Sequence, residues 1–174
     1  RDGNLLEEEP KNCQVLKINN PILTNTDMLK IKNMKVEGFK AVTVPITYYK
    51  SAPLDRAMDR LFVEVDRAHR AGANILILSD RGVDENHVAI PSLLAVSAVH
   101  QHLVKTKKRT SLAIILESGE PREVHHFATL LGYGACAINP YLALDTIHEL
   151  IEEGMIKKDY YAAVEDYNHA VISG

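Results

Sequence analysis

The clearest pattern in the sequence is a set of three short apolar runs, each followed by a polar cluster and then by a helical repeat. The runs occupy residues 75–78, 112–116 and 135–138. Strands that are apolar throughout are buried on both faces, as in a parallel sheet covered by helices. A fourth β-rich run spans residues 39–46, where Pro45 indicates an edge strand or a strand end. The pattern therefore predicts a parallel β-sheet.

Helices are predicted before, between and after these runs. Apolar residues recur at spacings of three and four, and proline before and glycine behind mark the ends of several segments. The longest segment is closed by Gly72, and its apolar positions include Leu61 and Val65. The predicted starting points, in chain order, are Thr24 or Asn25, Pro53, Pro91, Pro121, Pro140 and a position near Lys158.

The resulting fold class is α/β, with a β–α unit repeated four times and right-handed crossovers expected. An open sheet, including a doubly wound one, and a partial or degenerate (β/α) barrel both fit this order. We assign residues 1–38 to an extended arm and a short helix, and residues 39–174 to the α/β domain.

Composition narrows the class of protein. The chain has 174 residues, of which 46% are hydrophobic and 25% charged, as in a soluble globular protein with a single core. Its formal charge of -3 gives no electrostatic argument for nucleic-acid binding. No apolar stretch approaches the roughly 20 residues that span a bilayer, so no membrane association is expected.

The first residue and the two cysteines bear on the origin of the chain and on its cellular location. The sequence starts at Arg1 without a methionine, which we interpret as a piece excised from a longer polypeptide. Cys13 and Cys136 do not indicate a disulfide framework, and Cys136 is expected to be a small buried residue in a core strand. A reducing, cytoplasmic location follows as the default.

Polar residues at the strand ends are the candidate site. They are Ser79, Asp80, Arg81, Glu117 and Asn139, and ligands of parallel sheets gather at this edge. One interpretation is that they converge to bind an anion or a small metabolite. The other is structural: Asp80 and Arg81 fix their loop through hydrogen bonds and a salt bridge, while Glu117 and Asn139 cap the following helices or satisfy loop amides.

The histidines, a basic run and a glycine-containing turn do not indicate further functional sites. His125 and His126 are adjacent on a helix, and His100 and His102 are two residues apart, so neither pair faces one ion and no metal site is expected. The basic run at residues 105–109 is interpreted as a solvated turn at a helix end. Residues 132–134 join a helix to a strand, the reverse of the order in a phosphate-binding loop, so they are expected to form a helix C-cap and a tight turn.

Two long stretches carry a family resemblance. The first reads ILSDRGVD at residues 77–84 and continues as IPSLLAV at residues 90–96. The second reads ESGE at residues 117–120, with REVHHF, LGYGA and NPYLA following it up to residue 143. Both resemble the central domain of the large subunit of glutamate synthase, and the similarity covers most of the chain.

The resemblance implies a place within a larger enzyme. That family makes two glutamates from glutamine, 2-oxoglutarate and reductant, in glutamate biosynthesis and nitrogen assimilation. The central domain lies between a glutamine amidotransferase domain and an FMN-binding barrel, and it helps to wall a tunnel for ammonia. Electrons reach the reaction through an iron–sulfur cluster and FMN. The resemblance also implies that the central domain is a degenerate relative of the FMN barrel.

For this chain the resemblance implies a scaffold, in which Asp80, Arg81, Glu117 and Asn139 have a structural or interface role. The amino-terminal cysteine nucleophile, the flavin barrel and the three-cysteine cluster of the family have no counterpart here, so no catalytic residue is carried over and no cofactor is expected in this segment. Its partners would be the amidotransferase and FMN-binding domains of the same parent chain, and the segment alone would be inactive. The alternatives are an anion- or metabolite-binding α/β module and an independent barrel-type enzyme, for which no acid–base pair or nucleophile is visible.

Overall fold

A computed structural model describes residues 15–174. Its helices and strands follow the predicted order, with two additional short strands, at residues 47–49 and 87–89, that the pattern did not predict. In chain order they are α1 (Asn25–Lys32), β1 (Ala41–Pro45), β2 (Thr47–Tyr49), α2 (Leu54–Arg70), β3 (Ile75–Ser79), β4 (His87–Ala89), α3 (Ser92–Lys105), β5 (Ala113–Glu117), α4 (Val124–Gly132), β6 (Ala137–Asn139), α5 (Tyr141–Glu152) and α6 (Tyr160–Ser173). Residues 1–14 of the expected arm lie outside the described residues.

The main sheet is parallel, as predicted. Its four strands lie in the order β1, β3, β5, β6, so neighbours in the sequence of β–α units are neighbours in space. Leu76 of β3 is in register with Ile114 of β5, and the two strands run in the same direction. Pro45 is the last residue of the edge strand β1, where its missing N–H costs no ladder bond inside the sheet.

The two faces of the sheet are covered differently. Leu76, Leu78, Ile114, Leu116 and Ile138 point to one face and share a core with α2, α3 and α4. The opposite face, which includes Ile75, Ile77 and Ile115, packs against Met28 and Ile31 of α1 and against the preceding segment.

The position of the helices distinguishes a doubly wound sheet from a sheet that is covered like part of a (β/α) barrel. All three helices that connect the strands of the main sheet lie on one face, whereas a doubly wound sheet places them on both. Within residues 15–174 the sheet stays open and does not close into a barrel. Residues 21–23 lie along the outer edge of β6, where the Leu23 amide donates to the Ile138 carbonyl at 2.8 Å. The fold is an open sheet wrapped on one side like a segment of a (β/α) barrel.

A capping box begins α1. The Thr24 hydroxyl accepts from the Asp27 amide at 3.1 Å, and the Asp27 carboxylate accepts from the Thr24 amide at 3.2 Å. These two bonds satisfy orphan donors at the start of a helix that is only 8 residues long. A helix this short has little stability of its own and depends on such contacts.

We expect Thr24→Ala to lower the free energy of unfolding by about 1 kcal/mol, because the N-terminal amides of α1 lose their side-chain acceptor. Urea denaturation of the purified chain measures this. Thr26→Ala is the matched control, since Thr26 is exposed within the first turn of the same helix, and alanine favours the helix by a few tenths of a kcal/mol. Equal losses in the two variants would contradict the capping role.

Three local expectations were wrong. Cys136 is exposed and lies just before β6, which begins at Ala137 and not at residue 135 as the apolar run predicted. Helix α4 begins at Val124 rather than at Pro121. The basic run is not simply a solvated turn: Lys108 donates to Asp66 at 2.7 Å, and Arg109 donates to the carbonyl of Leu112 at 2.7 Å.

Residues 132–134 form the expected turn. Gly132 is the last residue of α4, and Gly134 has φ +123°, a conformation that other residues rarely adopt. The Gly134 carbonyl also accepts a hydrogen bond from the Arg109 guanidinium at 3.0 Å. The turn thereby leads α4 directly into β6.

No helix within residues 15–174 combines the length and the apolar character needed to cross a bilayer.

Candidate functional site

The ends of three parallel strands bring the predicted site residues together. Ser79 is in register with Glu117, and Glu117 is in register with Asn139. In-register residues of a parallel sheet project to the same face, so these three side chains lie on the face that α1 covers. Asp80 and Arg81 follow β3 directly. The carboxyl edge therefore collects all five candidates.

Glu117 is the centre of this group. Its side chain is 3% exposed and accepts from three different residues. Lys32, at the end of α1, donates to both carboxylate oxygens at 2.8 Å. The Ser79 hydroxyl donates at 2.6 Å and Arg81 Nε at 3.0 Å. Every donor comes from another element or loop, so one carboxylate ties α1, β3 and β5 together.

Opposing effects act on the pKa of Glu117. Burial raises the pKa, and the hydrogen bonds from Lys32, Ser79 and Arg81, together with the charge of Lys32, lower it. The net result is a pKa below the ordinary value of 4.5. Glu117 is therefore an ionised, paired carboxylate at neutral pH, which is unsuited to donating a proton to a substrate.

Asp80 organises the loop after β5. It is 4% exposed and accepts the Ser118 hydroxyl at 2.6 Å and the Gly119 amide at 3.0 Å. The expected salt bridge between Asp80 and Arg81 was wrong in its partner, because Arg81 pairs with Glu117 instead. Asp80 therefore forms hydrogen bonds to the loop after β5, whereas the expectation was that it would fix the loop after β3.

The Arg81 guanidinium lies over an aromatic ring. The guanidinium carbon is 3.9 Å from the centroid of the Tyr141 ring, a cation–π geometry. Burial, together with the hydrogen bond and the negative charge of Asp80, raises the pKa of the Tyr141 hydroxyl well above its ordinary value. Tyr141 thus stays neutral, and its ring packs against the Arg81 guanidinium.

Asn139 has different partners from the other candidates. It is fully buried, and its amide nitrogen donates to the Leu23 carbonyl at 2.9 Å and to Asn25 Oδ1 at 3.0 Å. Its own Oδ1 finds no hydrogen-bond partner among residues 15–174. Among residues 15–174, the side chains of Asn139 and Glu117 neither cap the following helix nor accept from a loop amide, contrary to the structural interpretation. Asn139 fastens the segment before α1 to β6.

Three contributors were not singled out from the sequence. Lys32 is 85 residues from Glu117 along the chain, and only its position in the last turn of α1 could have suggested a role. Ser118 stands inside the second polar cluster and Tyr141 directly follows Asn139-Pro140, so proximity to strand ends was a usable signal for both. Ser118 Oγ also lies 2.7 Å from Ser92 Oγ, which connects the cluster to α3.

The chemistry of this edge is that of a structural ion-pair network. Both carboxylates are buried and accept from neighbouring side chains and amides. Within residues 15–174, the buried polar or charged side chains all belong to this edge: Ser79, Asp80, Ser92, Glu117, Ser118 and Asn139. In the same range, no three or more His, Cys, Asp or Glu side chains are grouped to hold a metal ion. We call this set, together with Lys32, Arg81 and Tyr141, the carboxyl-edge cluster.

Comparisons with known proteins identify the family. The family model for the glutamate synthase central domain matches residues 1–174. The large chain of glutamate synthase [NADPH] from Bacillus subtilis (strain 168) is 40% identical over 99% of this chain and 11% of its own length. Glutamate synthase [NADH] from Schizosaccharomyces pombe is 37% identical over 99% of this chain and 8% of its own length. Ferredoxin-dependent glutamate synthase 2 from Synechocystis is 33% identical over 99% of this chain.

The three relatives differ in the electron donor that their names give, yet each aligns with nearly the whole chain. The chain spans between 8% and 12% of their lengths. A match of this extent to the family model, at these identities, leaves a single conclusion: the chain belongs to the glutamate synthase central-domain family.

Proposed function

We propose that this chain acts as a structural domain of a glutamate synthase, where it links the amidotransferase and FMN-binding domains and helps to wall the ammonia tunnel. The observation that carries the proposal is the carboxyl-edge cluster. Its buried carboxylates are paired with Lys32, Ser79, Arg81 and Ser118, all from this chain. Groups that hold α1, β3 and β5 together in this way are suited to a rigid wall, since each already has a partner within this chain.

The chemistry of the complete enzyme would come from elsewhere in the polypeptide. We assign the hydrolysis of glutamine and the reductive formation of glutamate from 2-oxoglutarate and ammonia to the flanking domains of the parent chain. FMN and the iron–sulfur cluster are assigned to the same domains. The relatives support this division, because the present chain accounts for about a tenth of their length.

The first test is an assay of the purified chain. We expect it to show neither glutaminase activity nor FMN binding, measured by ammonia release and by flavin fluorescence. The intact parent enzyme, assayed under the same conditions, provides the positive control for both signals. Robust glutaminase activity or stoichiometric flavin binding by the chain alone would overturn the proposed division of labour.

The second test addresses the tunnel wall in the intact parent enzyme. Glu117→Gln loosens the contact of α1 with β5, so we expect ammonia to escape and the ratio of glutamine hydrolysed to glutamate formed to rise above that of the wild type. Synthesis from added ammonia should persist. The control is Glu64→Gln, which removes one partner of the surface ion pair between Glu64 and Arg67 on α2. A folded Glu117→Gln enzyme that loses hydrolysis and ammonia-dependent synthesis together would indicate a catalytic role instead.

A further inference from the structure

The Arg81 side chain is held in one orientation by groups on two sides. Its Nε donates to Glu117 at 3.0 Å, and its guanidinium lies over the Tyr141 ring. Tyr141 is partly buried, and it follows directly after the β6 strand end and Pro140. A long, flexible side chain is thus fixed before any partner binds, which reduces the entropy lost on binding.

The outer edge of the same guanidinium is unused. Arg81 Nη1 and Nη2 find no hydrogen-bond partner in the part of the chain that the structure describes, and the side chain is 45% exposed. Two terminal nitrogens side by side form the fork that binds a carboxylate through two parallel hydrogen bonds. The unused edge therefore matches a planar anion.

Charge is sorted by depth within the carboxyl-edge cluster. The Glu117 side chain is 3% exposed, whereas those of Lys32 and Arg81 are 28% and 45% exposed. Asp80 is also buried. The cluster carries as many negative as positive groups, but a molecule approaching this edge meets the cations first.

Exposed apolar side chains lie close to Arg81 and Tyr141 in the sequence. Val83, two residues further along its loop, is 56% exposed, and Leu142, next to Tyr141, is 51% exposed. A fixed arginine with apolar neighbours is the composition of a protein–protein contact, in which arginine and aromatic residues are enriched at the centre.

We propose that Arg81 binds an aspartate or glutamate side chain presented by another domain of the same glutamate synthase polypeptide. This inference rests on the proposed function, because it requires the central domain to sit against flanking domains. The occupant is indicated by the size of the relatives, of whose length the chain spans 8% to 12%, so most of each polypeptide lies outside this segment.

The test is zero-length cross-linking in the intact parent enzyme. A carbodiimide joins an amine to a carboxylate only when the two are in contact, and Arg81→Lys supplies an amine at this position while keeping the positive charge. We expect mass spectrometry to find a cross-link from position 81 to an aspartate or glutamate outside residues 1–174. Cross-linking to Glu117 alone would overturn the proposal.

A control variant and a second measurement test whether the cross-link is specific to position 81. The matched control is Arg67→Lys, because Arg67 lies on the outer surface of α2 beside Glu64. We expect a lysine at position 67 to cross-link only within that helix. In the wild-type enzyme, a dicarbonyl reagent specific for arginine should modify Arg81 several-fold more slowly than Arg67, whose side chain is 67% exposed. Equal rates of modification would contradict an occupied Arg81.

A free carboxylate is the rival occupant. Glutarate added to the wild-type enzyme should leave the modification rate of Arg81 unchanged if a protein side chain is already bound there. Slowing by glutarate, from a rate equal to that of Arg67, would overturn the proposal in favour of a small-molecule site. These readouts are independent of the ammonia-coupling ratio, so failure of this inference and failure of the proposed function are distinguishable.

Discussion

Replacing Glu117 by glutamine will lower the free energy of unfolding of the chain by about 3 kcal/mol at neutral pH. The substitution removes the negative charge that Lys32, Arg81 and Ser79 share. Breaking a buried ion pair on one side costs about 3 to 5 kcal/mol, and the lower end applies because Lys32 and Arg81 are partly exposed and can turn toward water. Urea denaturation followed by circular dichroism measures the loss.

The pH dependence of this loss has a definite sign. The pKa of Glu117 is lower in the folded chain than the ordinary value of 4.5. Its contribution to stability is therefore complete above the ordinary pKa and disappears as the pH falls through the folded pKa. The difference between wild type and Glu117→Gln should shrink steadily below pH 4.5.

The matched control for this prediction is Glu64→Gln. Glu64 pairs with Arg67 on the surface of α2 at 2.9 Å, and exposed pairs of this kind contribute about 0 to 1 kcal/mol. If both variants lost the same stability, or if the Glu117→Gln difference stayed constant down to acid pH, the network around Glu117 would not be a stabilising ion pair.

The second large effect is expected at Gly134. A Cβ added here would lie 2.5 Å from His100 Nδ1 and 2.7 Å from His100 Cγ, and the backbone has φ +123°. Gly134→Ala thus combines a clash with a backbone conformation that alanine avoids. We expect a loss of about 2 to 3 kcal/mol in the free energy of unfolding, measured by the same denaturation.

Gly132→Ala provides the comparison two residues away. Nothing lies within 4 Å of a Cβ at Gly132, which is the last residue of α4. Alanine is favoured over glycine in a helix by about 1 kcal/mol at most, so this variant should be as stable as the wild type or slightly more so. A Gly134→Ala variant that matched it would show that the His100 side chain moves aside at little cost.

Much of the fold could be predicted because it depends on local pattern. A run such as residues 75–78 is apolar on both faces, which favours the interior of a parallel sheet whatever its neighbours are. Proline residues marked the starts of α2, α3 and α5, since proline is tolerated at the beginning of a helix but disrupts its interior. The start of α4 was misplaced because Pro121 is followed by two residues that stay outside the helix.

The pairing within the site could not be predicted from local pattern. Asp80 and Arg81 are adjacent in sequence, but adjacent side chains after a strand point in different directions, and each found its partner on another element. Lys32 reaches Glu117 only because α1 packs on the sheet. The exposure of Cys136 depends on where β6 begins, and strand boundaries shift by a residue or two with tertiary context.

The position of α1 has a geometric consequence for assembly. Four parallel strands with helices on one side are half of the complement of an eight-stranded (β/α) barrel. In such a barrel, the inner surface of one half is filled by side chains from the other. Here Met28 and Ile31 already occupy that space against Ile77 and Ile115. Two copies of this domain could therefore complete a barrel only after α1 had swung away, which would break the bond between Lys32 and Glu117.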